Sequence, residues 1–438
     1  MNDVKLNGVK FAFSGDSEQA RGFAAVAERD LSWIDGEPLM IIPRDLILSS
    51  QAVEEHAKSD QNLREVLAAV GDLAHSARGA ILIFLLVQIT ISSPGRIRRV
   101  GVSGPWTEYV KFLSAVSLPT TWTDEEQALL MGTSLQAALD AKLKRLSCEF
   151  EQLQSSTITI PWCEKVWWTD DESRLTFEDW MLVDSWYRSR ALSFAHTGDA
   201  MVPCIDMMNH SIGEQTSAYF DRDSDGNAVL LLPNSKTFHV GDELTISYGD
   251  GKSASEMLFS YGFIDETTTR TSGLTLDLQI PDDDPLKKAK EAVATVDAAV
   301  RITNTEGMTA WHSLFVWLAC VNEEDGLQFH VLQTNEGTRE LRVFFNENDV
   351  TEDTAELVEL MKSGPMWEVY QLRALALLQD RVQHQLDLLD ESEPLTEDAA
   401  DQTHERAQNH AAAVRLRSLE SDLLKQSYSD MDEQVRNT

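Results

Sequence analysis

Basic residues are scarce in this chain: Lys and Arg number 37 against 72 Asp and Glu, for a formal net charge of −35. A protein that grips nucleic acid through its phosphates needs a basic face. The balance therefore argues against a nucleic-acid partner and fits a Lys/Arg-rich protein segment, although acidic charge also serves solubility. Cysteine is sparse as well. Cys148, Cys163, Cys204 and Cys320 form no C-x-x-C pair and no zinc-ligand spacing, so they are expected to be free thiols in a reducing compartment, with no metal. His196, His239, His312 and His330 likewise have no ligand spacing with cysteine or carboxylates.

Long hydrophobic runs are missing too. The longest, Ala80 to Val87, falls far short of the roughly 20 residues that a membrane span needs. The opening MNDVKLNGVK has no apolar signal-peptide core. These absences predict an intracellular protein, cytoplasmic and/or nuclear, with no membrane partner, and we expect a monomer. Neither the phosphate-loop nor the dinucleotide glycine pattern occurs, which removes support for nucleotide hydrolysis and hydride transfer.

What is present is an ordinary globular composition, 42% hydrophobic and 25% charged, over 438 residues, enough for two or three domains. From Val9 to Leu48 short apolar stretches alternate with turns, including Phe23 to Ala27 and Pro38 to Ile42, so this part reads as β-rich. From Gln51 the period changes. Leu63, Val66, Leu67 and Val70 fall at i, i+3, i+4 and i+7, and Ala80 to Ile91 reads as a buried helix. Thr123 with Glu126, and Thr176 with Asp179, are spaced as capping boxes opening two more helices, the second carrying Trp180, Val183 and Tyr187 on one face. Strands return at Ala228 to Leu232 and Phe238 to Ser247. Beyond the Asp-rich Pro281 to Pro285, the stretches Leu286 to Val300, Trp311 to Val321, Met361 to Leu389 and Ala412 to Lys425 read as helices, with Ser392 to Thr403 a charged connector.

Two stretches carry an unusual density of polar and aromatic residues. The first, AMVPCIDMMNHS at 200–211, places Asp206, Asn209 and His210 after a short apolar run; the second, GDELTISYGDGKSASEMLFSYGF at 241–263, contains Tyr-Gly pairs at Tyr248 and Tyr261. Taken singly, a Tyr-Gly pair at a strand end is ordinary aromatic core beside a turn, and Asn-His is an ordinary capped turn. Asp221, Asp223, Asp225 and Gly226 imitate the start of a calcium loop, but Leu232 stands where the bidentate Glu is required, so a hairpin turn is expected.

Together the two stretches resemble the Asn-His and Tyr-Gly motifs of the SET-domain methyltransferases, in the branch that includes the Rubisco large-subunit methyltransferases. The segment Trp122, Glu126 and Gly132-Thr133 is similar to a helix start typical of that branch. The resemblance implies an α+β fold: a β-rich SET domain interrupted by a helical insertion and followed by an all-α C-terminal domain. The expected parts are 1–50 and 176–280 for the SET domain, 51–175 for the insertion, and 281–438 for a helical substrate-binding domain. In such proteins the two motif segments pass through one another in a knot-like crossing.

The same resemblance implies a protein-lysine N-methyltransferase that uses S-adenosylmethionine, releases S-adenosylhomocysteine and acts on a basic, non-histone protein. It makes Tyr248 the catalytic residue. It assigns Gln19, Ala20, Arg21, Arg190, Asp206, Asn209, His210 and Tyr248 to the cofactor, and Leu192, Tyr261 and Phe263 to the lysine channel. The residue types suit these roles, since a guanidinium such as Arg190 pairs bidentately with a carboxylate and Asn209 offers both a donor and an acceptor. Gln19 and Ala20 depart from the acidic residue and glycine frequent in the family, and Leu192 stands where Phe is usual. That apolar Leu192 favours lysine over histidine as acceptor; histidine methylation and a non-catalytic binding module are the alternatives.

Overall fold

The computed structural model describes residues 4–13, 23–93, 100–169, 174–194, 198–333, 339–392 and 403–438. It falls into two compact units, Met1–Thr121 with Asp140–Gly251, and Trp122–Leu139 with Lys252–Thr438.

The first unit closes its sheets across a long insertion. Phe23–Ala27 pairs antiparallel with Val9–Phe13 on one side and with Glu243–Leu244 on the other. Met40–Ile42 likewise lies between Lys5–Leu6 and Ala228–Leu231. Strands from the two ends of the unit therefore share one apolar core, with Ala25, Met40, Ile42, Val202, Ile205, Leu230 and Leu244 fully buried. In Phe23–Ala27, a strand paired on both sides, Ala24, Ala25 and Ala27 are buried while Phe23 at its start is exposed.

The insertion has its own core. In the helix Ala77–Ser92 every residue from Ala80 to Gln88 is buried, which is why its sequence shows a run and no amphipathic stripe. It packs on the helix Phe177–Arg190, where Trp180 and Val183 are fully buried and Thr176 and Asp179 form the expected capping box. Between them the buried Asp184 accepts from Arg78 at 2.5 Å and Lys142 at 2.9 Å, while Arg78 also pairs with Glu149 at 2.9 Å. These cations hold the Asp184 carboxyl below the ordinary carboxylate range against the opposing effect of burial.

The α+β class stands, since both helices and antiparallel sheets build the described chain. The all-α expectation for the C-terminal part is corrected. After residue 270 the chain forms two small antiparallel sheets, Gly273–Asp277, Ala299–Thr305 and Met308–His312, then Leu327–Gln333, Arg339–Phe345 and Asn348–Asp349. The stretches read as helices at 286–300 and 311–321 contain only Lys287–Val293 and Phe315–Cys320 as helix. The overlooked signal is period two: Val300 and Ile302 are buried while Arg301 between them is exposed. The later helices form as expected, in Thr354–Ser363, Trp367–Glu391 and His404–Asn437.

The segment 122–139, inside the span 51–175 read as insertion, clusters with the second unit. Thr123 and Glu126 make their capping box, and Glu126 also accepts from Asn409 at 2.9 Å. Gly132 has φ +77, and a Cβ there would lie 2.5 Å from the Leu388 carbonyl oxygen, so the Gly-Thr pair marks a close backbone approach that excludes side chains.

Candidate functional site

The two motif stretches meet inside the first unit. His210 and Ile246 form a parallel bridge, with Ser211 N–H donating to the Ile246 carbonyl at 3.1 Å and Ile246 N–H to the Asn209 carbonyl at 3.0 Å. Tyr248 is then fixed against the Asn-His segment in three ways. Its backbone N–H donates to His210 Nδ1 at 3.0 Å, its phenol donates to the Met208 carbonyl at 2.6 Å, and its ring stacks on His210 at 4.9 Å. The same Nδ1 lies 3.4 Å from the Ile246 carbonyl, a contact that would need a proton there; the shorter bond from Tyr248 N–H favours the tautomer with Nδ1 unprotonated.

Asn209 donates through Nδ2 to Glu243 Oε1 at 2.6 Å. Arg190, the last residue of its helix, donates to the backbone carbonyl of Asp206 at 3.1 Å, and its buried Nε has no hydrogen-bond partner among the described residues. Asp206 is 7% exposed. Burial pushes its carboxyl up to about 6, opposed by the Arg190 charge and by the Tyr109 hydroxyl. Its Oδ2 is also buried without a partner among the described residues.

Sequence reading missed two members of this cluster, Tyr109 and Glu243. The Tyr109 hydroxyl donates to Asp206 Oδ1 at 2.5 Å and accepts from Cys204 N–H at 3.4 Å. Burial, then the Asp206 charge, pushes this phenol well above its ordinary range. Cys204 itself has φ 74 and ψ −51, the strained γ-turn region, and it turns the chain into the short helix Ile205–Met207. No local pattern could find Tyr109, which lies 97 residues from Asp206; it comes from the insertion.

Arg190, Asp206, Asn209, His210 and Tyr248 are thus brought to one segment, and Leu192 lies in the same core as Met208 and the half-buried Tyr248. Leu192 is buried opposite Ala200 in the hairpin Ala191–Phe194 and Gly198–Met201. Tyr261 and Phe263 lie in the second unit, at the end of the helix Ala254–Tyr261, which Gly262 closes at φ 81. Gln19, Ala20 and Arg21, with Gly22, lie outside the described residues. The Asp-rich decoy is a hairpin turn: Asp223 accepts from the N–H groups of Asp225 and Asn227, both at 2.9 Å.

No family profile matches the chain. Over 350 residues it is 24% identical to the SET domain-containing protein 8 of Schizosaccharomyces pombe, covering 79% of this chain and 76% of that one. It is 23% identical over 308 residues to the Rubisco large subunit N-methyltransferase of Nicotiana tabacum, covering 67% of this chain and 54% of the relative. The chain therefore spans about half the length of that second relative. Its fold matches the crystal structure of the SET domain of LSMT bound to lysine and AdoHcy, with a TM-score of 0.69, 19% identity, and coverage of 98% of this chain and 87% of that one. With its Asn-His and Tyr-Gly segments bridged, the chain has the fold of these SET-domain structures and is similar in sequence to SET-domain and Rubisco large-subunit methyltransferase relatives.

Proposed function

We propose that this chain is a protein-lysine N-methyltransferase that uses S-adenosylmethionine and acts on a basic segment of a non-histone protein. The observation that carries the reading is the fixing of Tyr248 against Asn209-His210, which holds a phenol, an amide and an imidazole in one arrangement. The names of its relatives, among them lysine N-methyltransferases, support the reaction class. The net charge of −35 supports a basic target.

The residues present fit the cofactor's amino-acid end. Arg190 brings a guanidinium whose Nε has no partner among the described residues, suited to a carboxylate, and Asn209 brings an amide oxygen suited to an ammonium. The cofactor supplies an electrophilic methyl group on sulfonium. The protein has to orient a neutral amine, which at pH 7 costs a free lysine roughly 4–5 kcal/mol. Apolar surroundings lower that cost; in the first unit, Leu192 and the face of Tyr248 are assigned that part. Leu192 in place of Phe leaves a wider apolar wall without a group to orient an imidazole, so lysine is the acceptor.

Incubation of the purified protein with a cell lysate and S-adenosylmethionine labelled in the methyl group tests the proposal. Label is expected in protein with the wild type and strongly reduced with Tyr248→Phe and Asn209→Ala. Full labelling in both variants overturns the site; absence of labelling by the wild type in a lysate that contains its substrate supports a binding module instead.

A further inference from the structure

Asn209 is placed where an amide can act in two opposite senses. Its Oδ1 accepts and its Nδ2 donates, and rotation by half a turn about the side-chain bond exchanges them. What removes this ambiguity is Glu243. A carboxylate accepts only, so the 2.6 Å contact between Glu243 Oε1 and Asn209 is satisfied in just one orientation, with Nδ2 toward Glu243. Asn209 Oδ1 accepts no hydrogen bond among the described residues. Glu243 is itself held by the backbone, since it opens the strand Glu243–Leu244 and sits in register with Val26, and its carbonyl accepts from the Ser217 hydroxyl at 3.5 Å.

We propose that Glu243 is a positioning residue: it locks the Asn209 amide with Oδ1 turned to the ligand, which makes the site select for a cationic donor, the α-ammonium group of the cofactor. The inference rests on the S-adenosylmethionine reading above. It adds a residue that touches Asn209 and not the reacting atoms. An amide free to turn would present NH2 to the ammonium about as readily as oxygen, and would lose the preference. With Gln in place of Glu243 the contact survives, but the two amides can pair in either sense.

Titration calorimetry on the full chain tests this with two probes, S-adenosylhomocysteine and its analogue in which hydrogen replaces the α-amino group. The wild type is expected to favour the amine-bearing ligand by about tenfold or more, the scale of a hydrogen bond to a charged group. Glu243→Gln and Glu243→Ala are expected to reduce that preference about three- to tenfold while binding of the des-amino ligand stays unchanged, which also reports an intact fold. In an Asn209→Ala background the preference is already low, and Glu243→Gln adds nothing further. Such non-additivity is what action through Asn209 requires.

A preference unchanged in both Glu243 variants overturns the proposal. So does an equal loss in the Asn209→Ala background, which would mean that the Glu243 charge attracts the ammonium directly. Failure of the wild type to bind either ligand is a different result: it overturns the cofactor reading, and this inference with it.

Discussion

Tyr248 and His210 hold each other through two faces at once: their rings stack at 4.9 Å and Tyr248 N–H donates to His210 Nδ1 at 3.0 Å. Neither contact uses the Tyr248 hydroxyl. The hydroxyl bonds the Met208 carbonyl separately, so Tyr248→Phe should cost only about 0.5–1.5 kcal/mol of stability while lowering kcat by about 100-fold, the scale of a lost transition-state contact. His210→Ala removes the stack and leaves a half-buried N–H unsatisfied, at a cost of about 1–3 kcal/mol. Thermal unfolding and steady-state rates on the two variants separate these effects.

Tyr109 acts on Asp206 through a single hydroxyl. The Asp206 carboxyl, pushed up to about 6 in the fold, binds its proton more tightly when folded than unfolded. Its contribution to stability is thus greatest below about pH 4 and is lost as pH rises through about 6. Tyr109→Phe deletes the donor that favours the charged form. The variant should lose about 1–2 kcal/mol at pH 8, and the loss should shrink as pH falls toward 5. Denaturant melts across that range check it.

Glu420 offers the same test in the second unit. It is 1% exposed, accepts from Ser134 N–H at 2.8 Å and from the Ser134 hydroxyl at 2.5 Å, and has a carboxyl pushed up to about 7 by burial, opposed by the Ser134 bonds and by Arg417. Its contribution is lost as pH rises through about 7. Glu420→Gln, neutral at every pH, should raise the melting temperature relative to wild type at pH 8 more than at pH 5.

Asp184 is the opposite case, a fully buried anion with its cations in place. Asp184→Ala strips the carboxylate from the partly buried Lys142, while Arg78 keeps only Glu149. The expected loss is about 3–5 kcal/mol, seen as a drop in the urea midpoint.

Much of the site was legible because its members are close in sequence. Asp206, Asn209 and His210 lie within five residues of sequence, and the capping boxes at Thr123 and Thr176 are local signals that the structure reproduces. Tyr109 and Glu243 were not legible, since their partners are 97 and 34 residues away and nothing local marks a tyrosine that will clamp an aspartate. The strands Ala299–Thr305 and Met308–His312, which overlap the stretches read as helices at 286–300 and 311–321, were obscured for another reason. Short strands half-buried at one end show only two or three alternations, fewer than a helix reading needs to be dislodged.

The central claim is methyl transfer to lysine by this cluster. It is tested most directly by total acid hydrolysis of protein labelled from S-adenosylmethionine by the wild-type chain, followed by mass spectrometry of the free amino acids. Label is predicted in N-methylated lysine, and to be nearly abolished with Tyr248→Phe. Label recovered in methylhistidine, or in methyl-lysine at an undiminished level with that variant, would contradict the account.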